Sequence, residues 1–257
     1  MERCKSIAII NLLKILQNKT SAMRKLIVVT GGSKGIGRAI IEKFWINGFD
    51  VATCSRNAED LVQLEKALLR LSPVGKAHTM RADMSVKEEA KAFGKFVVEL
   101  NRPVDVLVNN AGYFVPGEIS TEPEGTLESM MNANVYSAYH ITRELVSSLK
   151  QTKSSHIFNI CSIASIKAYP NGGSYAITKF AMLGFSKCLR EELKQDNIRV
   201  TAVMPGATKT RGWEGVDLPD ERFMKIEDVA DIIYATYALS SRSVVEEIII
   251  RPQLGDI

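Results

Sequence analysis

Tyr175 and Lys179 stand four residues apart, and Ser162 precedes the tyrosine by thirteen. In a helix, residues at i and i+4 lie on one face, so the ammonium of Lys179 is expected beside the phenol of Tyr175. A free tyrosine has a pKa of about 10 and is a poor acid or base at neutral pH, whereas a neighbouring cation favours its ionised form. Lys179 is therefore expected to lower the pKa of Tyr175. With Ser162 nearby, a phenol, an ammonium and a hydroxyl could meet one carbonyl oxygen, with the phenol as proton donor. Singly, each residue is as compatible with packing or solvent contact as with chemistry, because short patterns alone are hypotheses.

A second stretch, Thr30-Gly31-Gly32-Ser33-Lys34-Gly35-Ile36-Gly37, follows the apolar run Leu26-Ile27-Val28-Val29 and opens into Arg38-Ala39-Ile40-Ile41-Glu42-Lys43-Phe44-Trp45. The run reads as a buried strand and the following segment as a helix. A strand, a glycine turn and a helix in that order present unpaired backbone N–H groups and the positive end of the helix dipole to a phosphate. Gly31, Gly35 and Gly37 fit the three jobs of such a turn: a tight bend, close approach to a pyrophosphate, and close packing of helix on strand.

Together these pieces resemble the short-chain dehydrogenase/reductase family, and the likeness runs from about residue 25 to the C-terminus. Asn109-Asn110-Ala111-Gly112 is similar to the family's signature bordering the cofactor and stabilising the central sheet. The resemblance implies four catalytic residues: Asn134, Ser162, Tyr175 and Lys179. It implies that Lys179 also binds the nicotinamide ribose and that Asn134 holds a water relaying protons to it. Pro205 and Gly206, with Thr208 and Thr210, match the segment at the nicotinamide end. Ser33 and Ile36 of the glycine turn, Ser55, and Asn110, Ala111 and Gly112 complete the implied cofactor contacts, with Asp83 and Met84 bordering the adenine.

The choice of cofactor rests on charge. An NAD site usually places an acidic residue near the end of the second strand, whereas a 2′-phosphate needs cations there. Here the strand ends Cys54-Ser55-Arg56-Asn57, without a carboxylate. Arg56 offers a planar fork suited to phosphate, and Lys34 in the glycine turn supplies a second positive charge. Both match positions used by NADP-dependent members of the family, so NADP(H) is the expected cofactor.

The elements that position these residues alternate regularly. Strands are expected over residues 26–29, 50–55, 76–81, 104–108, 156–161, 198–204 and 244–250. Helices are expected between them, including one continuous helix over 126–150 and another over 174–195 that carries Tyr175. Repeated strand–helix units imply a parallel sheet covered on both faces. The expected fold is α/β: a single doubly wound Rossmann domain over residues 23–257, with a mostly parallel seven-stranded sheet. Residues 1–22 form an N-terminal extension, either disordered or an added helix.

Composition narrows the function classes. The chain has 257 residues, 46% of them hydrophobic, and a formal net charge of +4. Its cations are scattered among acids and form no block, so nucleic acid is not an expected partner. No stretch approaches the roughly 20 apolar residues of a membrane span. Cys4, Cys54, Cys161 and Cys188 form no CxxC pair, and His78, His140 and His156 no cluster, so no metal site is expected and the thiols read as reduced, in a cytoplasmic protein. The expected activity is transfer of hydride from NADPH to a ketone or aldehyde. A 3-oxoacyl thioester reductase is an alternative substrate class, and a catalytically silent NADP-binding sensor an alternative function. Residues 207–225, with Trp213, Phe223, Arg211, Asp217 and Asp220, are expected to select a small carbonyl or alcohol substrate. By resemblance the chain is a homo-oligomer, a dimer or a tetramer, joined through helices carrying Met130, Val135, Tyr139, Phe180, Leu183 and Phe185.

Overall fold

The run Leu26–Val29 forms a strand whose four residues are all buried, and their alternation feeds two separate cores. Ile27 and Val29 pack on one face with Phe44, Trp45, Val51 and Ile233. Leu26 and Val28 pack on the other with Phe93, Leu107, Ile141 and Leu145. Successive side chains of a strand point to opposite faces, so a strand apolar at every position must be covered on both. The computed structural model describes residues 24–213, 215 and 217–257. The expected extension over residues 1–22 lies outside the described residues.

The first half of the chain contains β1 (Leu26–Val29), α1 (Gly35–Ile46), β2 (Asp50–Ser55), α2 (Ala58–Leu71), β3 (Ala77–Arg81), α3 (Lys87–Val98) and β4 (Val106–Asn109). The second contains α4 (Thr126–Met131), α5 (Ser137–Leu149), β5 (Ser155–Ile160), α6 (Gly173–Leu193), β6 (Ile198–Pro205), α7 (Ile226–Tyr237) and β7 (Glu247–Ile250). The strands form one seven-stranded sheet in the order β3-β2-β1-β4-β5-β6-β7. Every pairing is parallel, where the sequence indicated a mostly parallel sheet. The chain reverses its direction of travel across the sheet between β1 and β4, and a crevice opens beyond the carboxyl ends of strands at such a point.

One element departs from expectation in a way that matters for function. The helix expected over 126–150 is interrupted by a π-helical turn, Asn132–Tyr136, between α4 and α5. Such turns arise where local partners outbid regular helical bonding. Here the Ser137 hydroxyl donates to the Ala133 carbonyl at 2.5 Å, and the side chain of Asn134 is held by groups outside its own helix. The last strand is also shorter than expected, starting at Glu247.

A chain of buried amides ties the middle of the sheet to the helices over it. Asn109 Nδ2 donates to Asn159 Oδ1 at 2.8 Å and to Thr142 Oγ1 at 3.1 Å. Asn159 Nδ2 donates in turn to Ser186 Oγ at 2.8 Å. β4, β5, α5 and α6 are thus joined by polar contacts with no access to water. Replacing Asn159 by Ala strands the partners on both sides, and an unpaired buried polar group costs about 1–3 kcal/mol. Asn159→Ala is therefore expected to lower the urea unfolding free energy by about that much; a change within the error of the measurement would show the network to be dispensable.

Candidate active site

The glycine turn joins β1 to α1 at the edge of the crevice. Gly35 has φ +54, a conformation that side chains with a Cβ rarely adopt, and among the described residues a Cβ there would meet Thr210 Cγ2 at 3.6 Å. At Gly37 the constraint is contact, since a Cβ would lie 2.5 Å from Asn110 Nδ2. That amide donates to the carbonyls of Thr30 and Gly31 at 2.9 and 3.0 Å, so the Asn110 segment is clasped onto the turn. The first turn of α1 receives no side-chain cap. Its leading N–H groups are free to receive an anion, as the N-terminus of a helix favours.

A cleft of about 1050 Å³ runs from this turn across the ends of the strands. Every residue expected to touch the cofactor lines it, except Gly35. Of the four expected catalytic residues, Ser162, Tyr175 and Lys179 line it and Asn134 does not. The cleft is large enough for a dinucleotide with a small molecule beside it, and the cradle at the turn fits a pyrophosphate.

Ser162 follows the end of β5. Its hydroxyl accepts from the Ala164 amide at 3.1 Å, while Ser165 accepts from the Ser162 amide at 3.2 Å, so a tight capped turn holds it in place. Tyr175 and Lys179 lie on the first turns of α6, as the spacing predicts. The Lys179 ammonium is buried and donates to the Ile160 carbonyl at 2.9 Å. It also stands 5.5 Å from the centre of the Tyr175 ring.

The acidity of Tyr175 runs opposite to expectation. Burial pushes the phenol up to about 12, the Ser162 hydroxyl pulls it down, and the Cys161 thiol adds to the rise. Lys179 is not among the groups that govern it, because burial penalises its own charge, lowering its pKa, and its proton is directed at Ile160. The physical reason is solvent exclusion: removing water disfavours the phenolate more than these neighbours favour it. Tyr175 is therefore a neutral phenol that holds its proton.

Asn134 lies behind the cleft, with its side chain held by neighbours outside its own helix. Its Nδ2 donates to the Tyr113 carbonyl and to Thr178 Oγ1, both at 3.0 Å, and its Oδ1 accepts from the Tyr113 amide at 2.9 Å. Thr178 in turn donates to the Tyr175 carbonyl at 2.8 Å. The amide has both hydrogens and its oxygen engaged and spans the π-helical turn, the loop after β4 and α6. The Asn134 side chain therefore holds these three segments together.

At the adenosine end, Ser33 Oγ donates to Ser55 Oγ at 3.0 Å. Burial would raise the Asp83 carboxyl, but the Ser85 hydroxyl and amide, with Arg56 and Arg81, outweigh it and hold the group below its ordinary value. Arg56 is exposed on the cleft rim. A carboxylate does reach this corner: Asp60 lines the cleft and forms an ion pair with Lys34. The end of β2 carries no carboxylate, and Asp60 arrives from the first turn of α2.

Other cleft residues were not singled out by the sequence. Phe114 leans edge-on against Tyr175, with ring centres 4.8 Å apart. Tyr169 lines the cleft, its phenol also pushed up to about 12 by burial and by Tyr175. Asp256 and Ile257 of the C-terminal tail line it too, and Arg222 Nη2 donates to the Asp256 carbonyl at 3.2 Å. No sequence signal marks them, since they come together only through loops distant in the chain. Trp213 lines the cleft and packs on Phe223 at 5.2 Å, as part of the expected recognition segment. The side chain of Arg211 lies outside the described residues.

The sequence model describing short chain dehydrogenases matches residues 25–219. The sepiapterin reductase of Chlorobaculum tepidum is 35% identical over 244 residues, covering 91% of this chain and 99% of the relative. The (S)-acetoin-forming diacetyl reductase of Staphylococcus epidermidis is 31% identical over 220 residues, covering 85% of this chain and 84% of the relative. Among solved structures, the alcohol dehydrogenase of Thermococcus sibiricus complexed with 5-hydroxy-NADP superposes with a TM-score of 0.84 at 26% identity, covering 91% of this chain and 98% of the other. The L-sorbose reductase of Gluconobacter frateurii complexed with NADPH and L-sorbose gives 0.82 at 25% identity, covering 89% and 95%. A dinucleotide cradle, an aligned serine, tyrosine and lysine, and these matches lead to one conclusion: the chain belongs to the short-chain dehydrogenase/reductase family of oxidoreductases.

Proposed function

We propose that the protein uses NADP(H) to reduce the carbonyl of a small ketone or aldehyde. The observation that carries this reading is that Ser162, Tyr175 and Lys179 line the same cleft as the glycine turn. Solved relatives hold 5-hydroxy-NADP or NADPH, and curated relatives are named as reductases, which supports both cofactor and direction. The first turn of α1 would hold the pyrophosphate, Arg56 and Lys34 the 2′-phosphate, Asp83 and Met84 the adenine, and Lys179 the nicotinamide ribose. The dinucleotide supplies hydride chemistry that no side chain can supply.

The chain's own residues account for the rest. Ser162 donates a hydrogen bond to the substrate oxygen and stabilises negative charge as it develops there. Tyr175, a neutral phenol at neutral pH, transfers its proton to that oxygen. Lys179, 5.5 Å from the centre of the ring, would hold the ribose end of the dinucleotide beside the phenol. Asn134, through Thr178 and Tyr113, keeps the phenol and the loop bearing Phe114 in register. Phe114, Tyr169 and Trp213 give the substrate an aromatic wall.

An assembly of two or four copies is part of this reading. Of the residues expected at the interface, Met130, Val135 and Leu183 belong to the protein's own core. Tyr139 and Phe180 are exposed at 41% and 47%, beside Tyr136 and Ile177 at 48% and 41%. Four large apolar side chains exposed along the π-helical turn, α5 and α6 suit a second copy of the chain. Light scattering is expected to return the mass of a dimer or a tetramer, and a single-chain mass would remove the assembly from this account.

Tyr175→Phe is expected to lower NADPH-dependent reduction by at least ~10²-fold, the size of a general-acid contribution, while leaving dinucleotide affinity nearly unchanged. Retained turnover would take Tyr175 out of the mechanism. Wild-type protein that binds NADPH but turns over no ketone, aldehyde or 3-oxoacyl thioester would identify a binding protein instead. The raised pKa of Tyr175 fixes a pH dependence as well. Reduction needs the protonated phenol, present below its pKa, so kcat/KM for reduction should stay flat through neutrality and fall only well into alkali. Oxidation needs the phenolate and should rise with pH over the same range. A reduction profile that falls near neutral pH would contradict the assignment.

A further inference from the structure

We propose that Asp60 tunes the choice between dinucleotides by holding the ammonium of Lys34, which a 2′-phosphate must draw away before it can be bound. This rests on the NADP reading above and names a residue that works against that cofactor. Asn57 caps α2, its Oδ1 accepting from the Glu59 amide at 2.8 Å, and the cap sets Asp60 in the first helical turn. From there its carboxylate reaches Lys34, the residue that precedes α1, and both side chains line the cleft. The pair sits at the rim, with the lysine side chain 40% exposed and the aspartate 21%.

The two cations at this corner are therefore not equivalent. Arg56 is exposed and forms no ion pair among the described residues, its charge acting on Asp83 only from beyond contact distance, so its fork is freer than the Lys34 ammonium to turn to an incoming phosphate. Lys34 must exchange an internal carboxylate for the phosphate. A phosphomonoester carries a charge of about −1.5 to −2 at neutral pH, and it must compete with Asp60 for the one ammonium. A ribose 2′-hydroxyl asks neither for the lysine nor for removal of the carboxylate. Asp60 thus disfavours the phosphorylated dinucleotide alone, and specificity is a difference of affinities.

The test is equilibrium binding of NADPH and NADH, read by fluorescence, to wild type, D60N, K34A and the K34A/D60N double variant. Asp60→Asn keeps the shape of the side chain and a polar group at the start of α2. D60N should bind NADPH about two- to fivefold more tightly, the size of an exposed ion pair, with NADH essentially unchanged. Comparing K34A with the double variant, the gain should vanish, because there is no ammonium left to release. Unchanged or weaker NADPH binding by D60N, an equal gain for NADH, or a gain that persists without Lys34 would each overturn the proposal. Failure of the NADP reading itself shows separately, as NADPH affinity that survives Arg56→Ala and Lys34→Ala without loss.

Discussion

A buried ammonium must find an acceptor, because taking an unpaired cation out of water costs several kcal/mol. Lys179 meets that demand with the carbonyl of Ile160, the last residue of β5. One N–H···O contact thereby fixes how α6 is rotated over the sheet, and Tyr175, one turn earlier on the same helix, has no freedom to face elsewhere. Ser162, two residues beyond Ile160, is fixed from the strand side. Between them Cys161 is buried, and although Lys179 draws its thiol down, burial pushes it up. It remains a neutral thiol, which removes the conditions a reactive cysteine needs beside Ser162.

The second constraint is that the loop after β4 must meet α6. Asn134 accomplishes this with one amide, and the π-helical turn is what directs it across the gap. A regular helix from 126 to 150 would carry Asn134 at a different angle and leave a buried amide to be satisfied otherwise. The turn and the network support each other: Asn134 holds Tyr113 and Thr178, Thr178 holds the Tyr175 carbonyl, and Phe114 rests against the tyrosine ring. Fully satisfied polar networks of this kind specify one arrangement where apolar packing alone would tolerate several.

What was legible in the sequence follows the range of the interactions involved. β1, the glycine turn and α6 could be read because period and glycine placement are properties of a few adjacent residues. The π-helical turn could not, since its cause lies in Tyr113 and Thr178, far along the chain. Lys34 and Asp60 were likewise invisible as a pair, because they meet only when two strand–helix units are packed side by side. The sign of the Tyr175 shift failed for another reason. Spacing on a helix says which groups are neighbours, but not how much water is left between them, and here exclusion of water outweighs proximity of charge.

The two ends of the cleft are built by different means, and this bears on how the fold accommodates different substrates. The chemical end stands on strand termini and a buried network, so displacing any member disturbs the core. The recognition end is carried by loops, tied among the described residues by backbone bonds and by the Lys209–Asp220 ion pair at 2.7 Å. Ala207 O accepts from Met224 N, and Met224 O from Lys209 N, both at 2.9 Å, closing the segment that carries Trp213 onto its own stem. The tail that brings Asp256 and Ile257 to the cleft is held by Arg222 and by an ion pair of Asp256 with Arg251 at 3.6 Å. Surface loops of this kind tolerate substitution more readily than the sheet that carries them. The wall facing the substrate can therefore change residue by residue while the serine, tyrosine and lysine stay where Ile160 and Asn134 put them.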